Sequence, residues 1–350
     1  MKIKLITLLV LGALLLGQAH AKPQQTQIGE FKTKMIEGSL RGYKIYTPKG
    51  YDPDGSWKYE VVFLLHGDIC SPDTLAGRLS SFIRKADSNG FILVLPQAMY
   101  DLSGNTLSPT TNNLRLFNDD EALDMFLSWS LDSRFKVSHE LRYLKALHTE
   151  VTANYKADPD RFYLAGHSMG ALLTQYAAME LNHEFAAFAS IAGPAPRTDR
   201  APQNLDLWKP SFRVPILLMY ATKDSQVPFD ITAVSNFSNW IETNTKTASD
   251  ENTLWKLIDS VKETPNNITV SNLKFCNGDV ELYLINGGGH HWHRPGGFTL
   301  TDDEFIKRYN YNMPSPIPPE TLCKDINTTN VVWDFFKNRR KSHNGPIPKS

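Results

Sequence analysis

The chain is poor in cysteine, in net charge and in long apolar runs. Lysine plus arginine and aspartate plus glutamate balance at 37 each over 350 residues, which leaves no basic excess of the kind that binds nucleic acid or an anionic membrane surface. The one dense basic run, "KNRRK" at Lys337–Lys341, reads as a solvated helix end. Beyond the N-terminus no apolar segment is long enough to cross a bilayer. There is no repeat period, no low-complexity block and no separate carbohydrate- or polymer-binding module. The length allows one large domain or two small ones.

The apolar run that does exist is N-terminal. Lys2 and Lys4 precede an apolar stretch from Leu5 to about Gly17, followed by small residues at Ala19 and Ala21. That order predicts a secretory signal peptide (residues 1–21) cleaved after Ala21. The mature chain is then expected to be secreted or periplasmic, without stable membrane insertion. Export permits disulfides, and three cysteines leave one thiol over. A Cys276–Cys323 bridge is expected, because these two flank a Gly/His-rich segment that a bridge would brace, with Cys70 free and buried. Asn236, Asn267 and Asn327 match the glycosylation pattern, which matters only in a eukaryotic secretory pathway.

Seven extended segments recur along the chain: "LRGYKIYTP", "YEVVFLLHG", "GFILVLPQ", "RFYLAG", "FAAFASIAG", "VPILLMYA" and "DVELYLING". Several are continuous apolar runs, as in strands buried on both faces. Helical patterns lie between or after them, over Thr74–Ser88, His139–Tyr155, Met169–Leu181, Ile231–Asn244, Glu251–Glu263 and Asn327–Lys341. The alternation predicts a single α/β domain over residues 22–350, a mostly parallel central sheet with helices on both faces. Tyr100–Lys136 is long for a strand-to-helix connection and rich in apolar residues, so it is either a flap over a binding site or a packed excursion.

The chemistry centres on "RFYLAGHSMGALL". Ser168 follows an apolar strand and precedes an amphipathic helix, with Gly166 and Gly170 two residues to either side. This is the setting of a nucleophile elbow, whose sharp turn needs tiny residues at those positions. A serine hydroxyl needs a base, and the base an orienting carboxylate. On this architecture they follow in the order Ser, Asp or Glu, His, each beyond a strand end. Asp224 lies just past "VPILLMYA" and is favoured over Asp230, which is placed to cap the helix near Ile231. His290 lies just past the last strand, after three glycines, and is favoured over His291 and His293. The histidines lack a carboxylate or Cys at a convincing ligand spacing, so no metal or other cofactor is expected. For an oxyanion hole the backbone N–H groups of Met169 and Asp68 are the candidates, with Ile69 second to Asp68. His66 reads as a buried structural hydrogen-bonder.

With these residues assembled, the chain resembles the secreted α/β-hydrolase esterases of the polyhydroxybutyrate depolymerase, feruloyl esterase and acetyl xylan esterase group. The resemblance rests on "LLHGD", "GFILVLPQ", "YKADPDRFYLAGHSMGALLTQYAA", "ATKDSQVP" and "GGGHHW", from about Glu60 to Trp292. It implies the α/β-hydrolase fold and a triad of Ser168, Asp224 and His290. It sets Trp292 beside the site, and Trp292 and His167 are taken as substrate contacts. The chain departs from the group where His293 and Arg294 intervene before Pro-Gly-Gly and where Asp68 follows His66-Gly67. A carboxylate there must point away from a forming anion. The expected partner is an ester, small, oligomeric or linked to polysaccharide. A serine peptidase or thioesterase on the same scaffold, or a non-catalytic binding protein, are the alternatives, and oligomeric state is left open.

Overall fold

The computed structural model describes residues 29–68, 70–99, 127–129, 131–197, 212–245, 252, 254–256, 268–296 and 319–345. A hairpin of β1 (Glu30–Ile36) and β2 (Ser39–Tyr46) opens it, followed by β3 (Tyr59–Leu65), α1 (Phe82–Asn89) and β4 (Ile92–Pro96). Then come α2 (Arg134–Asn154), β5 (Ala157–His167), α3 (Met169–Glu180), β6 (Ala187–Ile191) and β7 (Ile216–Ala221). The remaining elements are α4 (Ile231–Thr245), β8 (Thr269–Phe275), β9 (Val280–Asn286) and α5 (Thr328–Phe336).

The nine strands form one sheet in the order β1-β2-β4-β3-β5-β6-β7-β9-β8. From β4 to β9 every neighbour runs parallel, and the antiparallel pairs β1/β2, β2/β4 and β8/β9 lie toward the two edges. Every residue of β3, β4, β6 and β7 is buried, because helices cover both faces. Alternate β3 residues feed opposite cores. Val61, Phe63 and Leu65 pack with α2, α3 and α4, while Val62 and Leu64 pack with α1 and α5. From β3 the chain goes out to β4 on one side and returns to β5 on the other. This reversal opens a crevice at the carboxyl ends of β3 and β5, where open α/β sheets place their ligands. Leu65 pairs with Gly166 at that end, so His66–Asp68 and Ser168 emerge side by side.

Several expected elements differ in extent. β1 and β8 carry no continuous apolar run; β8 reads TVSNLKF and alternates half-buried with exposed along its length. The helix expected over Thr74–Ser88 is a π-helical turn at Thr74–Leu79, a break at extended Ser80, and then α1. Serine hydroxyls compete for helix-terminal amides, and Ser80 Oγ accepts the N–H of Phe82 at 3.4 Å. α2 starts earlier than expected, at Arg134, where Ser133 Oγ caps the N–H of Lys136. The basic run after α5 is no free patch: Arg339 bonds Asp279 at 2.8 Å, and Arg340 lies 3.6 Å from Asp158. Most of Glu251–Glu263, all of Tyr100–Phe126, the signal segment and Asn267 lie outside the described residues. Asn236 is buried, donating to Gln175 and Tyr220, which closes it to a glycan in the folded chain.

The expected Cys276–Cys323 bridge is not formed; all three cysteines are free thiols. The two thiols belong to opposite faces of the sheet. Cys276 packs against the core under α4, with its Sγ 3.9 Å from the Ile241 carbonyl oxygen. Cys323 is buried in the other core with Cys70. Sequence proximity to one loop placed them on one side, and the sheet separates them.

Candidate active site

Ser168 sits between β5 and α3 at φ 56°, ψ −121°, a left-handed conformation that costs a non-glycine residue on the order of 1–3 kcal/mol. Packing on both sides imposes it. Its N–H bonds the Ile191 carbonyl of β6 at 3.0 Å. A Cβ on Gly166 would overlap the Gly170 carbonyl, and one on Gly170 would overlap the carbonyls of Leu65 and His66. A Cβ on Gly67 would come within 2.9 Å of the Ser168 Cβ. The Gly-x-Ser-x-Gly string and the His-Gly dipeptide are therefore one steric solution, in which the β3 loop touches the elbow.

Asp224 follows β7 and is buried. One carboxylate oxygen, Oδ1, accepts the N–H groups of Gln226 and Val227, each at 2.8 Å. The other, Oδ2, lies 2.8 Å from His290 Nδ1. His290 follows β9 and is buried as well. The loops carrying them are laced together: Lys223 N–H bonds the Gly288 carbonyl, and Gly287 N–H bonds Thr222 Oγ1. The glycines preceding His290 fit crowded space, for a Cβ on Gly289 would overlap the Thr321 hydroxyl and one on Gly288 would lie 2.5 Å from Ile285 Cγ2. With Nδ1–H assigned to the Asp224 bond, the lone pair of His290 is on Nε2. The Ser168 hydroxyl, half-buried, makes no hydrogen bond to His290 among the described residues. The adjoining His167 ring lies 5.0 Å from the His290 ring, centre to centre.

The competing candidates have other partners. Asp230 stands at the start of α4, where its carbonyl accepts from Ala233 and Val234. His291 Nε2 pairs with Thr321 Oγ1 at 2.9 Å, and His293 Nδ1 accepts the Cys323 N–H at 3.0 Å. Both tie the histidine loop to the segment Pro319–Cys323. His66 is wholly buried and held down to about 4 by burial. Its Nε2 accepts the Ala98 N–H and its Nδ1–H donates to the Gly67 carbonyl, so it is neutral and structural. Among the described residues no three His, Cys, Asp or Glu side chains converge as a metal set.

The N–H of Met169, first in α3, belongs to the helix turn whose amides lack intrahelical acceptors, and Asp68 stands opposite it on the β3 loop. Ile69 lies outside the described residues. The Asp68 carboxyl is turned into the protein, where Ser128 donates to it and burial pushes it up to about 6. Trp292 differs from its expected role. It is 1% exposed, its indole N–H donates to Thr329 Oγ1, and its ring meets Phe82 edge-on, which leaves no face for a substrate. It meets His167 edge-on, with ring centres 6.3 Å apart. His167 is buried, its Nε2 is without a partner among the described residues, and desolvation holds it well below the ordinary imidazole value. One contact was not legible in the sequence: Trp129 donates its indole N–H to the His66 carbonyl at 2.7 Å, bracing the β3 loop from the end of the long Tyr100–Lys136 connection.

No protein-family model matches the chain. Feruloyl esterase B of Piromyces equi is 27% identical over 192 residues, covering 50% of this chain and 33% of that protein. The bifunctional acetylxylan esterase/xylanase XynS20E of Neocallimastix patriciarum is 22% identical over 161 residues, covering 46% of this chain and 19% of that protein. The chain spans about half or less of the length of the curated relatives it matches. Among solved structures, an acetyl xylan esterase from Aspergillus awamori matches with a TM-score of 0.53 over 81% of this chain and 99% of that one, at 14% identity. Sheet order and the structural likeness agree that the chain has the α/β-hydrolase fold, and in sequence it is similar to esterases of the feruloyl and acetylxylan esterase group.

Proposed function

We propose that the protein is an exported serine esterase that hydrolyses carboxylic esters through an acyl-enzyme. The observation that carries this reading is the buried Asp224–His290 hydrogen bond of 2.8 Å, on loops facing a serine held at positive φ. In the reaction the Ser168 hydroxyl attacks the ester carbonyl while His290 Nε2 takes its proton. Asp224 keeps the imidazole in the right tautomer and steadies the imidazolium. The N–H groups of Met169 and Asp68 receive the oxyanion. His290 returns the proton to the departing alcohol, and water then cleaves the acyl-enzyme by the same route. Ser–His contacts of this kind are often long without substrate and tighten when it binds.

The relatives' names favour a feruloyl or acetyl ester on polysaccharide over a hydroxyalkanoate. Export rests on the signal-like residues 1–21; no helix among the described residues is long and apolar enough to cross a membrane. Ser168→Ala should abolish hydrolysis of p-nitrophenyl acetate with the fold intact, and a fluorophosphonate probe should label the wild type at Ser168 alone. A wild-type protein that stays unlabelled would be a non-catalytic binder, and the proposal would fall. Comparing methyl ferulate, acetylated xylan and 3-hydroxybutyrate oligomers identifies the acyl group.

A further inference from the structure

The proposed mechanism needs two N–H groups at a fixed spacing, and one of them stands on a loop. Asp68 lies beyond the last ladder pair of β3, Leu65 with Gly166, and directly after a glycine. Two side chains constrain the peptides that lead to it. The Trp129 indole N–H donates to the His66 carbonyl at 2.7 Å, and the His66 imidazole donates to the Gly67 carbonyl at 2.7 Å. The tautomer follows from the far side of the ring, where Nε2 accepts the Ala98 N–H at 3.1 Å and so leaves the proton on Nδ1. Ala98 is anchored through its neighbour, since the Gln97 N–H bonds the Tyr143 hydroxyl and the Gln97 carbonyl accepts from Arg41, each at 3.3 Å. The rings of Trp129 and His66 lie 5.1 Å apart, centre to centre, and Trp129 is fully buried.

Because the peptide unit is planar, fixing a carbonyl also fixes the next amide. The described residues hold no cis peptide bond, and in a trans peptide the N–H points opposite to the carbonyl. With the Gly67 carbonyl drawn onto the His66 ring, the Asp68 N–H points away from that ring. With the His66 carbonyl held by Trp129, the preceding peptide is fixed as well. That same carbonyl lies against the start of α3, for a Cβ on Gly170 would be 2.4 Å from its oxygen. Trp129 therefore holds the β3 loop beside the turn that bears Met169. We propose that Trp129 is a positioning residue for the reaction, acting through His66 to set the direction of the Asp68 N–H and its spacing from that of Met169. The inference rests on the serine-esterase reading above, and it gives the end of the connection before α2 a part in stabilising the transition state.

The test is steady-state kinetics of Trp129→Phe on p-nitrophenyl acetate, with inhibition by phenyl trifluoromethyl ketone, whose adduct with the serine carries an oxyanion. The variant keeps an aromatic ring and removes the N–H. The two donors act on the charge of the transition state more than on the bound ester. Turnover, kcat, should fall about tenfold or more, short of the roughly 100- to 1,000-fold cost of losing a donor outright. KM should stay within about twofold, and the inhibition constant of the ketone should rise in step with the loss in kcat/KM. Leu131→Ala, a cavity made in the same segment, should lower the melting temperature and leave kcat unchanged. If Trp129→Phe does not fold, replacing Trp129 with 3-benzothienylalanine, which puts sulfur in place of the N–H and keeps the shape, carries the same expectations. An unchanged kcat in the variant that folds would overturn the inference. So would an equal fall in kcat in Leu131→Ala, since packing would then be the cause, or a rise in KM alone. A wild type that no fluorophosphonate labels would instead defeat the serine-esterase reading itself.

Discussion

Gly170→Ala isolates the contact on which the elbow depends. Gly170 has ordinary helical backbone angles and does not figure among the positive-φ glycines, so an alanine there brings no conformational penalty and even favours the helix. What it adds is one methyl group in occupied space. That carbon would lie 2.5 Å from the Leu65 carbonyl oxygen, whereas ordinary contact begins at 3.4 Å. The start of α3 and the end of β3 would have to part by about 0.9 Å, the difference between those two distances. Nothing flexible can give way, since the clashing atoms are backbone and β3 is paired on both sides with β4 and β5. Overpacking of this kind costs roughly 1–3 kcal/mol, a fall in melting temperature of about 2–4 °C per kcal/mol for a chain this large. The same displacement separates the N–H groups of Met169 and Asp68, and a misplacement of about 1 Å can cost on the order of 100-fold in rate. The assay is kcat/KM on p-nitrophenyl acetate beside a thermal melt. Leu144→Ala, a cavity in fully buried α2 packing, serves as a control that loses at least as much stability (about 2–5 kcal/mol) without touching the site. Wild-type kcat/KM in Gly170→Ala would refute the claim that this contact sets the spacing of the two donors.

Asp224→Asn should keep the fold and lower kcat by about 10⁴-fold, because an amide no longer selects the His290 tautomer; circular dichroism and steady-state kinetics check both halves. Alkylation of the denatured, unreduced protein should add three groups, one per free thiol, and a single adduct by mass spectrometry would restore the expected bridge. Stability should fall as pH drops from about 6.5 toward 4. Burial holds His66 down to about 4 and His293 to about 3, below the unfolded value near 6.5. The unfolded chain therefore binds more protons in that window, and each group adds a slope of up to about 1.4 kcal/mol per pH unit. Urea midpoints that do not change between pH 7 and pH 4.5 would contradict this.

The strands that carry the site were legible because the stretches leading to it are buried on both faces and largely apolar. β1 and β8 were not, because an edge strand needs apolar residues on one face at most, and "TVSNLKF" looks like loop. The helix after β3 was overrun because periodicity is blind to a serine pair that breaks it. Gly166, Ser168 and Gly170 were readable for a local reason: the chain must reverse within three residues, and only small side chains fit. The cysteines misled for the opposite reason, since nearness along the chain says nothing about which side of a sheet a side chain faces.

By itself the sequence determined the alternation of strands and helices, the strained turn at Ser168 and the carboxylate and imidazole loops that follow it. Short-range sterics and burial impose all of these. Only the tertiary structure chose among neighbours. It joined His290 to Asp224, bound His291 to Thr321 and His293 to the Cys323 amide, and buried Trp292 against Phe82 and Thr329. Those choices depend on packing between segments more than a hundred residues apart in some cases, where a rotation of one loop decides which atom arrives within hydrogen-bonding distance.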